Sequence, residues 1–231
     1  MFMNQSKKKI LVIVAHTDDE SFGCGGLIKK FSSKKYKIRA ISFTNGVSSR
    51  NKYFEKDIKN RKNNSLKASK ILGFKWLKQY NYPDNQLDKI SLLEIIKIIE
   101  KHKKEFSPNI VITHNFYDLN VDHRIIGEAV LTAFRPEPNS KCEEILTFEI
   151  PSATDFRMLK RSENFVPNYF VNIDKFINFK IKAIKTYKGE IKKKPHSRSI
   201  EGVRNLSKIR GNQSGVKFAE AYEIIRKIEK K

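Results

Sequence analysis

The chain has 231 residues, of which 47 are Lys or Arg and 25 are Asp or Glu, so its formal net charge is +22. This length excludes a mini-protein that needs disulfides or a metal to stay folded. It predicts a single domain over residues 1–231, because no segment with the composition of a linker divides the chain. The 39% of hydrophobic residues can build a core and the 31% of charged residues can cover it, which excludes a globally disordered chain.

The first apolar segment, ILVIVA at 10–15, is a short continuous run that is typical of a strand buried on both faces. The pattern then predicts a helix at 27–36, a strand at 37–43, a loop at 44–50, a helix at 56–72, a strand at 76–82 and a turn at 83–85. A strongly periodic helix at 89–105, a strand at 110–113 and a helix at 123–134 follow. This alternation predicts an α/β fold, Rossmann-like, with a mainly parallel sheet and helices on both faces.

The part of the chain after residue 140 has a less regular pattern. It predicts strands at 144–149 and 168–173, a helix at 174–187, an irregular Gly-, Ser-, Arg- and Lys-rich stretch at 188–217 and a final helix at 218–230. Two cysteines, Cys24 and Cys142, are too few for a disulfide framework and are expected to be free thiols. Without a signal peptide or an apolar run of about 20 residues, we expect a soluble cytoplasmic protein.

The positive charge has two interpretations. A basic chain can bind nucleic acid, anionic lipid or an acidic substrate, and a basic nucleic-acid-binding protein without enzymatic activity is therefore one alternative function. The lysines, however, are spread over the whole chain, and the basic stretch at 188–217 has no interleaved aromatic residues for base stacking. We therefore interpret the charge mainly as surface composition and expect no nucleic-acid partner.

Polar clusters follow two of the predicted strands. His16, Asp18 and Asp19 come after the first strand, and His114 and His123 come after the strand at 110–113. Ligands of open α/β sheets bind at the carboxyl ends of the strands, and imidazole and carboxylate are zinc ligands. A His and an Asp three residues apart, with a second His from a neighbouring strand, would leave an open position as catalytic zinc sites do. Alternatively, these acidic residues only cap helices.

The segment AHTDDESFGCGG at 15–26 resembles the AHPDDE signature of the LmbE-like, or PIG-L, family of zinc-dependent de-N-acetylases. The segment THNFYDLNVDHRIIGE at 113–128 resembles the second motif of that family, which ends in Asp-His. Weaker similarities are TNGVSSR at 44–50, PDNQLD at 83–88 and GVKFAEAYEIIR at 215–226. The resemblance covers nearly the whole chain, and the paired first and second motifs are specific.

The resemblance implies that His16, Asp19 and His123 bind zinc and that Asp18 is the general base for a metal-bound water. That water would attack an acetamide, which gives acetate and a free amino sugar. The family motif usually has Pro where this chain has Thr17, a change that touches no ligand. The native ion could equally be Fe²⁺ or Mn²⁺, because such a ligand set accepts several divalent metals.

A second departure concerns the oxyanion, since many family members have a His where this chain has Asn120. The role would pass to Asn120, to His114 or to the metal alone, and Asp122 would orient a ligand His or a neighbouring donor. Three residues are assigned to substrate binding: Arg50, His114 and Asp118. Asp84 and Asn85 are expected as substrate contacts or as turn formers. His102 is expected at the surface, and His196 in a loop.

The sequence thus predicts a metal-dependent hydrolase that removes the acetyl group from an N-acetylated amino sugar or its conjugate, of N-acetylglucosamine type. A non-catalytic family member that only binds an amino sugar is a second alternative. The expected partner is a small-molecule N-acetyl amino-sugar conjugate, and a homo-oligomer is possible. Basic residues of 188–217 are a hypothetical contact for a substrate phosphate.

Overall fold

The computed structural model describes residues 8–157 and 164–229, and within them it contains one seven-stranded sheet and six α-helices. The strands are β1 (Lys9–Val14), β2 (Lys37–Thr44), β3 (Lys75–Tyr82), β4 (Ile110–His114), β5 (Glu144–Phe148), β6 (Tyr169–Asn172) and β7 (Ala219–Lys227). The helices are α1 (Asp19–Ser33), α2 (Glu55–Leu72), α3 (Leu92–Phe106), α4 (Val121–Ala133), α5 (Ile177–Ile184) and α6 (Ile200–Ser214).

The strands follow the order β3-β2-β1-β4-β5-β7-β6 across the sheet. Neighbours from β3 to β5 are parallel, whereas β7 is antiparallel to both β5 and β6. The predicted mainly parallel α/β sheet is therefore confirmed. The strand order reverses between β1 and β4, and in such sheets this reversal opens a crevice at the carboxyl ends of the two strands.

The central strand β1 is buried on both faces, as its continuous apolar sequence predicts. Ile10, Val12 and Val14 pack against residues of α1, α2 and α5 on one face of the sheet. Leu11 and Ile13 pack against α3 and α4 on the other face. Each of these five side chains has no exposed surface, and burying one contributes about 2 kcal/mol. Helices cover both faces, as predicted.

Helix α1 begins eight residues earlier than the sequence predicts, at Asp19 instead of residue 27. The glycines at 23, 25 and 26, which precede the predicted helix, lie inside this helix. An added Cβ at Gly23 would lie 2.4 Å from the Phe148 ring, and one at Gly26 would lie 2.7 Å from Ile173. These glycines are therefore needed for close packing of α1 on the sheet.

Two predictions in the C-terminal part were wrong. The stretch at 188–217 contains α6, and the segment predicted as a final helix at 218–230 forms β7 over its described residues. The Ala-, Glu- and Lys-rich composition of β7 favours a helix locally, but pairing with β5 and β6 overrides this preference. The buried Glu220 of β7 accepts hydrogen bonds from the backbone N–H groups of Gly26 and Leu27 and from Lys180 Nζ.

His102 was expected at the surface, but α3 buries it against the sheet. Its Nε2 lies 2.9 Å from the hydroxyl group of Tyr80 on β3. Cys24 and Cys142 are free, as predicted, and both are buried. Within the part of the chain that the structure describes, no helix has both the length and the apolar character needed to cross a bilayer.

Candidate metal centre and active site

The two predicted polar clusters meet at the carboxyl ends of β1 and β4, because these strands are parallel neighbours. His16 follows β1, and Asp19 begins α1 directly afterwards. His123 lies in the first turn of α4, which follows β4. The crevice at the strand-order reversal therefore brings together all three residues to which the resemblance assigns metal binding.

Three ligand atoms form a small triangle in this crevice. His16 Nδ1 lies 3.1 Å from Asp19 Oδ2 and 3.2 Å from His123 Nε2, and the third side, from His123 Nε2 to Asp19 Oδ2, is 3.4 Å. Ligands about 2.0–2.1 Å from a tetrahedral zinc ion lie roughly 3.3 Å from one another. The residues present therefore fit a divalent metal with three protein ligands, and all three are buried.

Two carboxylates fix the ring of His16. Its Nε2 lies 3.0 Å from Asp84 Oδ1 and 3.2 Å from Asp122 Oδ2, so this nitrogen carries the proton and Nδ1 presents its lone pair to the triangle. Burial alone would raise the pKa of Asp84, but the hydrogen bond and charge of His16 lower it to about 2. Asp122 also accepts the backbone N–H groups of Asn85 and Leu87, which ties the turn at 83–87 to the site.

A third carboxylate fixes the ring of His123. Its Nδ1 donates to Asp118 Oδ2 at 2.9 Å, which leaves Nε2 for the metal. Thr154 donates to the other oxygen of Asp118. The ring of His114 stacks on His123 at 3.9 Å, and its Nε2 accepts the backbone N–H of Ala15. Burial and the neighbouring His123 lower the pKa of His114 to about 4, so it is neutral.

This geometry changes the assignment of His114 and Asp118. Both were predicted to contact the substrate, but both are fully buried beneath the metal triangle. Neither is among the described residues that line the open cavity. Their contacts instead hold the ring of His123 in place. In this arrangement both residues contact His123, and neither of them reaches the cavity.

Asp18 lies at the cavity with its side chain held between two arginines. Its Oδ1 accepts from Arg61 Nη2 and its Oδ2 from Arg198 Nη2, both at 2.8 Å. Burial raises the pKa of Asp18 to about 6, although the two guanidinium groups act in the opposite direction. Its side chain caps no backbone N–H of α1, so helix capping does not account for this residue.

Asn120 is the N-cap of α4. Its Oδ1 accepts the backbone N–H groups of Asp122 and His123 at 2.8 and 3.4 Å. Asn120 also lines the cavity. Because the cap uses Oδ1, only its Nδ2 amide is available as a donor to a substrate carbonyl.

Three further residues lie at the site: Arg61, Glu190 and Arg198, of which only Arg198 is one of the basic residues of 188–217 that the sequence pattern had singled out. Arg61 is buried on α2 and donates to Thr17, Asp18 and Glu190. Nothing in a Lys-rich helix distinguishes this arginine, but Gly46 is an indirect signal. Gly46 has a φ of +67°, and an added Cβ would lie 2.3 Å from Arg61 Nε. The motif around Gly46 thus makes room for the guanidinium group.

Arg50, predicted to contact the substrate, points its guanidinium group at Glu190 Oε1, 2.7 Å away. Glu190 thereby joins Arg50 to Arg61, and their charges lower its pKa against the opposing effect of burial. Arg50 does not line the cavity and reaches it only through this ion pair. Arg198, from the basic stretch at 188–217, does line the cavity.

The cavity above the triangle has a volume of about 390 Å³. Most of its lining residues are polar or charged, among them Asp18, Ser49, Arg61, Asp84 and Glu190. Leu119, Ile150 and Ala153 also line it. The arrangement can hold a polar ring while a reacting carbonyl lies at the metal triangle.

The family model for PIG-L, GlcNAc-PI de-N-acetylase, matches residues 11–134. This range is more than half of the chain and contains the complete ligand triangle. It also includes the supporting carboxylates of both histidines, which lie at positions 84, 118 and 122.

Several curated relatives and several solved structures with similar chains are named as deacetylases, whereas one similar solved structure is named as a hydratase. A probable N-acetyl-alpha-D-glucosaminyl L-malate deacetylase 2 of Bacillus anthracis is 28% identical over 59% of this chain and 64% of its own length. The match thus spans somewhat less than two thirds of that relative. The diacetylchitobiose deacetylase of Thermococcus kodakarensis is 26% identical over 94% of this chain and 83% of its own. The N,N'-diacetylchitobiose deacetylase from Pyrococcus horikoshii, solved with an inhibitor, has a TM-score of 0.77 at 23% identity, covering 95% of this chain and 84% of that chain.

Proposed function

The chain belongs to the PIG-L family of GlcNAc-PI de-N-acetylases, and on this premise we propose that it is a metal-dependent N-deacetylase. Its substrate is an N-acetylated amino sugar or a conjugate of it, of N-acetylglucosamine type. The reaction adds water across the acetamide C–N bond and gives acetate and a free amine. The names of the two curated relatives support an amino-sugar substrate.

The observation that carries the proposal is the ligand triangle, whose sides of 3.1, 3.2 and 3.4 Å match a tetrahedral ion with one open position. We propose zinc as the native ion, held by His16, Asp19 and His123. When bound, such an ion polarises the acetamide carbonyl and lowers the pKa of water at the site. The carboxylates at 84, 118 and 122 hold both imidazoles in the tautomers that ligation needs.

Asp18 is the proposed general base. It accepts a proton from the attacking water and returns it to the nitrogen as the C–N bond breaks. Arg61 and Arg198 each bind one of its oxygens, so the carboxylate keeps one orientation at the cavity. The Nδ2 amide of Asn120 donates to the carbonyl oxygen while that oxygen gains negative charge.

The polar groups that line the cavity fit the sugar ring. Ser49 donates to Asp84, and Asp84 in turn faces His16, so hydroxyl-binding groups continue directly from the ligand triangle. Free thiols at Cys24 and Cys142 agree with a reducing compartment, and we propose the cytoplasm as the location.

Acetate release from N-acetylglucosamine conjugates by zinc-loaded protein tests the proposal. Metal removal with a chelator should abolish release, and adding zinc back should restore it. The protein treated with chelator should retain its far-ultraviolet circular dichroism, which separates loss of metal from loss of fold. Acetate release that persists without metal, or none from any conjugate with one zinc bound per chain, would contradict the proposed function.

A further inference from the structure

Thr17 lies between a proposed metal ligand and the proposed general base, His16 and Asp18. It stands where the family motif usually has Pro, a change that we expected to touch no ligand. In the structure Thr17 is buried, with 5% of its surface exposed, and its Oγ1 accepts a hydrogen bond from Arg61 Nε at 3.2 Å. Proline has no side-chain oxygen, so this contact depends on the residue that departs from the usual motif.

The guanidinium group of Arg61 joins Thr17 to Asp18. Its Nε donates to Thr17, and its Nη2 donates to Asp18 Oδ1 at 2.8 Å. Because the group is planar and its N–H donors have fixed directions, an anchored Nε sets the direction in which Nη2 points. The two acceptors are neighbours in the chain, so the two hydrogen bonds close a ring between this backbone and the guanidinium plane. The Thr17 hydroxyl thus sets the angle from which Arg61 reaches the base.

Packing alone does not hold the guanidinium group in this plane, because Arg61 lies between two cavities. It lines the cavity of about 390 Å³ that contains Asp18, and it also lines a second cavity of about 190 Å³. Thr17 is among the described residues that line the second cavity and not among those that line the first. The second cavity leaves space into which the guanidinium group can turn away from Asp18. The Thr17 hydroxyl binds Nε on that side and opposes this turn.

Glu190 also binds Arg61, but it does not fix the plane in the same way. It accepts from Arg61 Nη1 and from Arg50, whose side chain is 44% exposed. The attraction between two charges depends on their distance and only weakly on direction. Glu190 therefore holds the charge of Arg61 at the site, whereas the hydroxyl of Thr17 orients it.

We propose that Thr17 is a positioning residue, which orients Arg61 so that the guanidinium group holds the carboxylate of Asp18 at the cavity. The expected effect on turnover rests on the proposed function, whereas the effect on Arg61 is measured without substrate. A proline at position 17, as in the usual motif, would leave Arg61 Nε without this acceptor. The threonine that departs from the motif thereby takes part in placing the base.

The test compares Thr17→Val, which keeps the shape of the side chain without its hydroxyl group, with Thr17→Ser, which keeps the hydroxyl group. Thr17→Val should lower kcat for acetate release from the methyl glycoside of N-acetylglucosamine by about tenfold, with KM and zinc content near the wild-type values. Thr17→Ser should keep kcat within about threefold of the wild type. The control is Thr147→Val, since the buried Thr147 hydroxyl also lies 3.2 Å from a charged side chain, that of Glu223. Thr147 is not among the described residues that line either cavity.

Nuclear magnetic resonance of Arg61 gives a measurement that does not need turnover. The Nε–H signal of Arg61 in zinc-loaded, ¹⁵N-labelled protein is identified by its absence from Arg61→Lys. In Thr17→Val this signal should shift, and its hydrogen should exchange with water at least about tenfold faster. Thr17→Ser and Thr147→Val should leave the signal near its wild-type position.

The two measurements separate the inference from the proposed reaction. If the wild type releases no acetate but the Arg61 signal responds as expected, the proposed reaction fails and the orientation of Arg61 by Thr17 stands. An unchanged Arg61 signal in Thr17→Val, or an unchanged kcat of that variant in an active protein, would overturn the inference. So would the same changes in Thr147→Val, or loss of zinc from Thr17→Val.

Discussion

The hydroxyl group of Tyr187 and the backbone N–H of Asp18 bind the two oxygens of one buried carboxylate, that of Glu20, at 2.8 and 2.9 Å. Asp18 has a φ of +135°, which is unusual for a residue with a side chain. Glu20 thus holds this backbone, and Tyr187 holds Glu20. Burial raises the pKa of Glu20 to about 7, against the effect of these hydrogen bonds.

Tyr187→Phe should therefore lower kcat by about tenfold, because Glu20 loses a hydrogen bond that positions Asp18. KM and zinc content should stay near the wild-type values. The matched control is Tyr222→Phe, since Tyr222 is also buried and donates to a buried carboxylate, Glu220, outside the site. Both variants should lose stability, and only Tyr187→Phe should lose turnover. An equal effect of both variants on kcat would mean that Tyr187 acts only through the fold.

Asp18→Asn should reduce kcat by about a thousandfold, the range expected for a general base, because an amide cannot accept the proton from water. The asparagine can still accept one arginine hydrogen bond, which keeps the side chain in place. One zinc per chain should remain, because residue 18 is not one of the three proposed ligands. Metal analysis and acetate release on the same preparation check this. Loss of zinc together with activity would show that Asp18 maintains the metal site and is not its base.

Asp118→Asn should weaken zinc binding by about 10- to 100-fold, because the neutral side chain no longer strengthens His123 as a ligand. Competition with a chromophoric chelator measures the affinity directly. Asp174→Asn is the control, since the Asp174 carboxylate likewise accepts a hydrogen bond, from the backbone N–H of Phe218, but lies away from the ligands. Unchanged zinc affinity in Asp118→Asn would contradict the positioning role.

Gly46→Ala should lower kcat by at least about tenfold, because the new methyl group would displace Arg61 from Asp18. Any residue with a side chain also destabilises the fold by about 1–2 kcal/mol where the backbone φ is positive. Gly215→Ala separates the two effects, since Gly215 has a similar φ, +71°, and no atom within 4 Å of an added Cβ. Both variants should lose similar stability in urea, and only Gly46→Ala should lose activity. Full activity of Gly46→Ala would show that Arg61 does not need its observed position.

His102 should make the fold sensitive to mild acid. Burial lowers its pKa below the usual value of 6.5, although Glu105 acts in the opposite direction. His102 thus has a lower pKa in the folded protein than the 6.5 of the unfolded chain. Between these pKa values the unfolded chain binds more protons than the folded protein, so the free energy of unfolding falls as the pH drops through 6.5. Urea denaturation at pH 7.5 and 5.5 should show a larger loss for the wild type than for His102→Gln. Equal losses would exclude this contribution.

The sequence predicted the metal centre better than the walls of the cavity. Two parallel neighbouring strands end at the same edge of the sheet. Short motifs directly after these strands therefore suffice to identify His16, Asp19 and His123. Arg198 reaches Asp18, and Glu190 reaches Arg61, only through the packing of the C-terminal part, which no local pattern encodes. His114 differs in the other direction, because a strand-ending histidine was expected at the substrate, whereas stacking on His123 buries it.

Local propensity also explains the errors in the fold. The glycines at 23 and 26 resemble a turn signal, but they are required by contacts with Phe148 and Ile173 that are distant in sequence. Strand β7 has the composition of a helix and becomes a strand only because β5 and β6 offer it two partners. Both errors arise where long-range contacts outweigh the preference of the segment itself.

The residues that line the cavity come from two parts of the chain, so related proteins can diverge in substrate preference. All three proposed ligands and their carboxylate supports lie between residues 16 and 123, whereas Ile150, Ala153, Glu190 and Arg198 come later in the chain. Substitutions after β5 can therefore reshape substrate preference without altering the ion or its ligands. An exchange of residues 149–198 between homologues would transfer selectivity without changing the proposed ligands, provided that the residues equivalent to Thr154, Tyr187 and Arg198 are kept.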